Sequence, residues 1–184
     1  MSQTGLPCQA GLHWGRHKRG MSGFTLLELM VTVALVAIIA MVGVPSWQTL
    51  VSRMQVESDL RSLKYGLSLA RSEAVSIGDE VSLCPYPTGF NDQVDIVCGN
   101  DWQEGWVVYR GNNDTIEAGR GIWVHGSSEA QVILGGASRV TFDSLGTLSA
   151  GNSTWKICTG DSQMDLVLAP SGRSRVNRDG SGCS

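Results

Sequence analysis

At 184 residues the chain has room for one membrane segment and one modest globular domain. Its formal charge of −3 is unevenly spread: Arg16, Lys18 and Arg19 stand in residues 1–23 with no acid, while residues 24–184 hold 11 basic against 17 acidic side chains. Such an acidic body is not by default a nucleic-acid-binding surface, and 23 glycines with 7% aromatics suit turn-rich β structure better than a helical bundle.

The first element is an apolar run. From Phe24 to Val44 there are 21 residues and one charge, Glu28. As a helix they would measure about 31 Å, enough to cross a hydrocarbon core. The cationic cluster at residues 16–19 precedes the run, so the positive-inside rule keeps residues 1–23 in the cytoplasm and sends the C-terminal body outward. A cleaved secretory signal is the rival reading. The run is long for an h-region, however, and Pro45 stands in VGVPSWQTL where a small-residue cleavage site is wanted. A plain uncleaved anchor accounts for length and flanking charge but not for Glu28, since a lone carboxylate in hydrocarbon is costly.

The stretch SGFTLLELMVTVALVAIIA, Ser22–Ala40, resembles the class III signal of type IV pilins and type II secretion pseudopilins: a basic leader ending in glycine, then phenylalanine, then a glutamate at the fifth mature position. The resemblance implies cleavage between Gly23 and Phe24 by a prepilin peptidase on the cytoplasmic side, with the new Phe24 amine methylated. Glu28 then has a physical task. Its carboxylate can neutralise the Phe24 α-amine between adjacent packed helices in an apolar filament core, and so set subunit register. The other reading of Glu28 is an acid that snorkels to the membrane interface.

Beyond the membrane run the periodicity predicts a continuing helix, because Trp47, Leu50, Val51, Met54, Leu60, Leu63, Leu67, Ala70, Ala74 and Ile77 recur at spacings of three and four. Gly43 and Pro45 interrupt it. An interior proline removes a hydrogen bond and clashes with the preceding turn, so a kink or local melting is expected there. Arg53, Glu57, Asp59, Arg61, Lys64, Arg71 and Glu73 read as the solvated or subunit-facing side of an amphipathic helix, with no assigned chemistry.

After Gly78 short β-forming runs alternate with turn signals: EVSLC at 80–84, GWVVYR at 105–110, GIWVHG at 121–126, QVILG at 131–135, RVTFDS at 139–144, TWKIC at 154–158 and MDLVLA at 164–169. These predict one or two antiparallel sheets with the helix stripe covering one face, an α+β architecture. RSEAVSIG, the W-x-x-GWVVY run at Trp102–Tyr109 and TFDSLGTL resemble the H-type pseudopilins and the FimT/FimU minor pilins. The resemblance implies a pilin-like domain in which a long helix, half membrane-embedded and half amphipathic, packs on antiparallel β structure. Trp102, Trp106 and Trp123 read as core packing rather than a ligand platform.

Cys8 falls in the leader, which leaves Cys84, Cys98, Cys158 and Cys183, an even number suited to an oxidising compartment. Of the three possible pairings, Cys84 with Cys98 closes a short loop worth roughly 3 kcal/mol, and Cys158 with Cys183 would tie the tail to a strand. With no C-x-x-C spacing and His125 as the one histidine after residue 23, no metal site is expected. The same inventory offers no catalytic arrangement and no cofactor motif, and GNNDTIEAG at 111–119 reads as a polar hairpin turn.

The tail LAPSGRSRVNRDGSGCS places Arg173, Arg175 and Arg178 within six residues, and Arg173 and Arg175 alternate onto one face of an extended strand. Guanidinium groups held at a surface reach phosphates by bidentate hydrogen bonds. Three such contacts give sequence-independent affinity for duplex DNA with a log–log salt slope of roughly −2.7. Gly172-Arg173-Ser174-Arg175 also resembles the G-R-x-R element of FimT-type minor pilins that bind DNA during natural transformation; the alternative is that these arginines pair with acids of a neighbouring subunit.

The sequence therefore predicts a leader at 1–23, a transmembrane and assembly helix at 24–51, and a periplasmic domain at 52–184, with amphipathic helix 52–78 and β region 79–184. The expected partners are the inner membrane, a prepilin peptidase, other major and minor pilins, and DNA. The competing expectation is an H-type pseudopilin of a type II secretion system, with secretion machinery and no nucleic acid as partner.

Overall fold

The computed structural model describes residues 24–178 apart from 88, 131 and 150–152. Two compact units divide between Met41 and Val42. In the first, the helix α1, Leu26–Ile77, begins at a cap: the Glu28 N–H donates to Thr25 Oγ1 at 3.2 Å. Thr25-Leu26-Leu27-Glu28 has the order of a capping box, and it sets an acid in the first turn, where the helix dipole favours negative charge. Residues from Phe24 to Met41 are exposed throughout, and α1 is the one helix among the described residues long and apolar enough to cross a membrane.

In the second unit the expected melting at Gly43 and Pro45 does not occur, because α1 is helical through both. One proline deletes one hydrogen bond, which a helix of 52 residues absorbs. The apolar stripe also differs from its sequence pattern. Trp47 is 68% exposed, and Leu50, Met54 and Ile77 are exposed as well. Burial starts at Val56 and continues through Leu60, Leu63, Leu67, Ala70 and Ala74, the i, i+3, i+4 spacing of one face. Gly78, at φ +70°, ends the helix and donates its N–H to the Ala74 carbonyl at 3.0 Å, a left-handed cap.

Ten strands follow among the described residues: β1 Val81–Pro85, β2 Ile96–Val97, β3 Trp106–Arg110, β4 Thr115–Ile116, β5 Gly121–His125, β6 Val132–Gly135, β7 Val140–Phe142, β8 Ser153–Thr159, β9 Ser162–Leu168 and β10 Ser174–Asn177. The seven runs read from the sequence are β1, β3, β5, β6, β7, β8 and β9. The GNNDTIEAG segment is not a bare turn, because β4 lies in it and pairs with β2. Two four-stranded antiparallel sheets have the orders β5-β3-β1-β7 and β10-β9-β8-β6.

Alternation explains why β1 and β3 are buried on both faces. Val81, Leu83, Trp106 and Val108 join α1 and the second sheet in the main core, while Cys84, Val107 and Tyr109 meet Ile116 in a second, smaller core. The Cys84–Cys98 disulfide, with Cα atoms 5.9 Å apart, fastens the covering loop over this outer face. Trp102 packs edge-to-face on Trp155 at 5.4 Å between ring centroids, so these tryptophans are core.

Candidate functional site

The tail is set in place by a hairpin. Between β9 and β10 the turn Ala169-Pro170-Ser171-Gly172 closes with Gly172 N–H donating to Ala169 O at 2.8 Å, and Ala169 N–H donates to Arg173 O at 2.9 Å. Gly172 has φ +73°, which makes this a type I turn followed by a left-handed residue, the usual three-residue β-hairpin. Any side chain at 172 would also collide with Gly146 O, 2.5 Å from the position of its Cβ. Register then pairs Arg175 with Val167 and Val176 with Leu166; Val176 packs on the main core, while Arg173, Arg175 and Arg178 are exposed.

The structure brings to this tail two cations that the sequence reading left on a solvated helix face. Lys64, Ser68 and Arg71 share one side of α1 at spacings of four and three, and with Gly172, Arg173 and Ser174 they line a cleft of about 310 Å³ that has no acid among its described lining residues. Arg71 is half-buried, and its Nη1 donates to Gly172 O at 3.4 Å. The side chains of Lys64, Arg173 and Arg175 make no ion pair among the described residues. At the far end of β10, Arg178 helps to hold the Glu57 carboxyl below the usual range, behind the larger effect of a hydrogen bond and ion pair from Arg61 at 2.7 Å.

Asp59 requires a correction. The sequence puts it among solvated helix residues, but it is 1% exposed. Its Oδ2 accepts from Ser128 Oγ at 2.6 Å and from the Ala130 N–H at 2.7 Å, and its Oδ1 lies 3.8 Å from His125 Nε2. His125 in turn stacks between Trp106 and Trp123 at 4.3 and 5.8 Å. A serine, a histidine and a carboxylate thus meet, yet the Ser128 hydroxyl donates to Asp59, so the serine is not held for activation by His125. The cluster fastens the loop after β5 to α1.

Phe24 and Glu28 are exposed; Gly23 and Cys183 lie outside the described residues. Cys158 is buried and disulfide-bonded. Two signals in the sequence went unused. The order Thr-x-x-Glu before an apolar run marks the α1 cap, and Pro-Ser-Gly between two β-forming runs marks the hairpin that seats Arg173.

Residues 59–172 match the family model described as type II transport protein GspH, and residues 18–44 match the prokaryotic N-terminal methylation motif. A fimbrial protein of Pseudomonas aeruginosa is 33% identical over 63 residues, which are 34% of this chain and 40% of that protein. The match therefore spans less than half the length of that relative. Crystal structures of the type IV minor pilin FimU of Pseudomonas aeruginosa superpose with TM-scores of 0.54 and 0.52 at 23% and 22% identity, over 68% and 66% of this chain and 90% and 91% of theirs. At that identity the likeness concerns the fold.

Proposed function

Since the chain belongs to the GspH family of pilin-like structural proteins, with an N-terminal methylation motif ahead of the family domain, we propose that it is a minor pilin of a type IV pilus whose Arg-bearing tail captures DNA. In this reading a prepilin peptidase cuts between Gly23 and Phe24 and the Phe24 amine is methylated. The processed chain stays in the inner membrane with residues 52–184 in the periplasm, and enters a filament of other pilins with Glu28 neutralising the Phe24 amine.

The observation that carries the DNA reading is the exposure of Arg173 and Arg175 beside a cleft with no acid among its described lining residues, in a body that is otherwise net acidic. Guanidinium groups that make no ion pair among the described residues are available to phosphates. The test is duplex DNA binding by the full chain in detergent micelles across a salt series, beside Arg173→Ala with Arg175→Ala. Affinity that falls steeply with salt and is lost in the double variant is expected; wild-type protein that fails to bind at low salt would refute it.

A second reading, an H-type pseudopilin of a type II secretion system, is favoured by the family model itself, whose description is type II transport. It predicts no DNA binding and partnership of the same surface with secretion subunits.

A further inference from the structure

We infer that bound DNA lies along α1 and β10 together, with one backbone phosphate held in the cleft between Lys64, Arg71 and Arg173. The inference rests on the DNA reading and extends it to two helix cations outside the tail. The three basic side chains line one cleft from two elements, with Ser68 and Ser174 also in the lining. Ammonium-, guanidinium- and hydroxyl-bearing side chains lining one cleft, with no carboxylate among the described lining residues, suit a phosphodiester oxygen. Arg71 already spends one nitrogen on Gly172 O, which fixes the tail against the helix; its remaining N–H groups stay available, and Lys64 has no ion pair among the described residues.

The two ends of β10 fall beside different turns of α1. Arg173 lines the cleft with Lys64 and Arg71, whereas Arg178 acts on Glu57. Going from Glu57 to Lys64 and on to Arg71 covers about 10 to 20 Å at 1.5 Å per residue. One strand of a duplex presents a phosphate about every 3.4 Å of axis, so the strip covers roughly three to six phosphates. A backbone running along it meets the tail arginines and the helix cations in one pass.

Counting decides between this arrangement and a tail acting alone. Three tail arginines give a log–log salt slope of roughly −2.7, and adding Lys64 and Arg71 brings it to about −4.5. Removing Lys64 should reduce the slope by about 0.9 and weaken binding about eightfold at 0.1 M salt by the same relation. Lys64→Gln is the variant of choice, because the side chain is exposed and its loss leaves the Arg71 tether in place. Lys156→Gln removes an exposed cation from β8 and serves as the charge control.

The experiment is fluorescence anisotropy of a labelled duplex with the full chain in detergent micelles, from 50 to 300 mM salt. A wild-type slope near −4.5, lowered by Lys64→Gln and untouched by Lys156→Gln, is the expected result. If the wild type binds with a slope near −2.7 and Lys64→Gln matches it while Arg173→Ala with Arg175→Ala abolishes binding, the helix cations are not part of the site and the tail reading stands alone. No wild-type binding at 50 mM overturns both. Unchanged DNA binding with fewer filaments in cells carrying Lys64→Gln would assign the cleft to acids of a neighbouring subunit, which also overturns the inference.

Discussion

Replacing Asp59 with alanine should be among the most damaging single changes to the globular unit, and its size can be worked from the contacts. The carboxylate is buried and accepts two short hydrogen bonds, from Ser128 Oγ at 2.6 Å and the Ala130 N–H at 2.7 Å, with His125 Nε2 at 3.8 Å. Hydrogen bonds to a charged group contribute about 1.5–3 kcal/mol each, and truncation also strands the buried Ala130 donor. Breaking a buried charged cluster on one side typically costs about 3–5 kcal/mol. For a unit of this size that corresponds to a fall in Tm on the order of 10–20 °C. Asp59→Asn keeps an acceptor oxygen and should cost less than half as much. The assay is thermal unfolding of the full chain in micelles followed by near-UV circular dichroism, which reports on Trp106 and Trp123 where they stack on His125. Adding Ser128→Ala closes a double-mutant cycle whose coupling should be about 1 kcal/mol or more. An Asp59→Ala protein that unfolds within about 0.5 kcal/mol of wild type would refute the reasoning, since a surface residue behaves that way.

Cys84→Ser with Cys98→Ser opens a loop of 14 residues' separation and should lower the urea midpoint by the equivalent of about 3 kcal/mol; an unchanged midpoint would mean the loop is held by the small core alone. Burial pushes the Tyr109 phenol up, and its O–H donates to Asn113 O at 2.6 Å. Its folded pKa exceeds its unfolded one, so the stability it contributes is complete below about pH 10 and fades as pH rises through the raised value. Tyr109→Phe should cost about 1 kcal/mol at neutral pH and flatten that alkaline loss in a pH series of melts. Glu57 has the opposite sign: Arg61, and more weakly Arg178, hold it low, so its small surface contribution is present above the ordinary carboxylate range and is lost as pH falls through the lowered value. Glu57→Gln removes a carboxylate beside Arg178 and should tighten DNA binding while leaving the salt slope near −4.5, since no phosphate contact is added; no change in affinity would separate Arg178 from the site.

The elements read most easily from the sequence are those whose period is long or strict. Seven strands could be found by their apolar alternation, and α1 by its threes and fours. What escaped was two-residue pairing and depth. Ile96–Val97 and Thr115–Ile116 are too short to show a period. The sequence cannot tell Asp59, which is buried, from Glu57 two residues earlier, which is not, because burial depends on whether the loop at 128–130 arrives to cover it. The candidate site divides the same way. Arg173 and Arg175 announce themselves as charges in a β-prone tail, whereas Lys64 and Arg71 look like any solvated helix cations until the Pro-Ser-Gly hairpin folds the tail back beside them.

That division along α1 bears on how one helix can serve both assembly and binding. Up to Met54 many of its large apolar side chains, Trp47 and Leu50 among them, are exposed, and in a filament-forming protein such surface is available to other helices. From Val56 to Ala74 the apolar stripe is packed into the chain's own core, so outside partners meet mainly the polar face there, with Tyr65 and Val75 also exposed. Lys64, Ser68 and Arg71 sit on that polar face. Changes there should leave the assembling segment untouched, because additivity holds for sites more than about 7–10 Å apart with no shared partner. Lys64 is ten residues beyond Met54, about 15 Å along the axis. A Lys64→Gln strain should therefore keep its filaments while losing DNA affinity, whereas Trp47→Ala with Leu50→Ala should lose filaments and leave the affinity of the isolated chain intact. Coupled loss of both properties in either variant would show that assembly and binding share a surface.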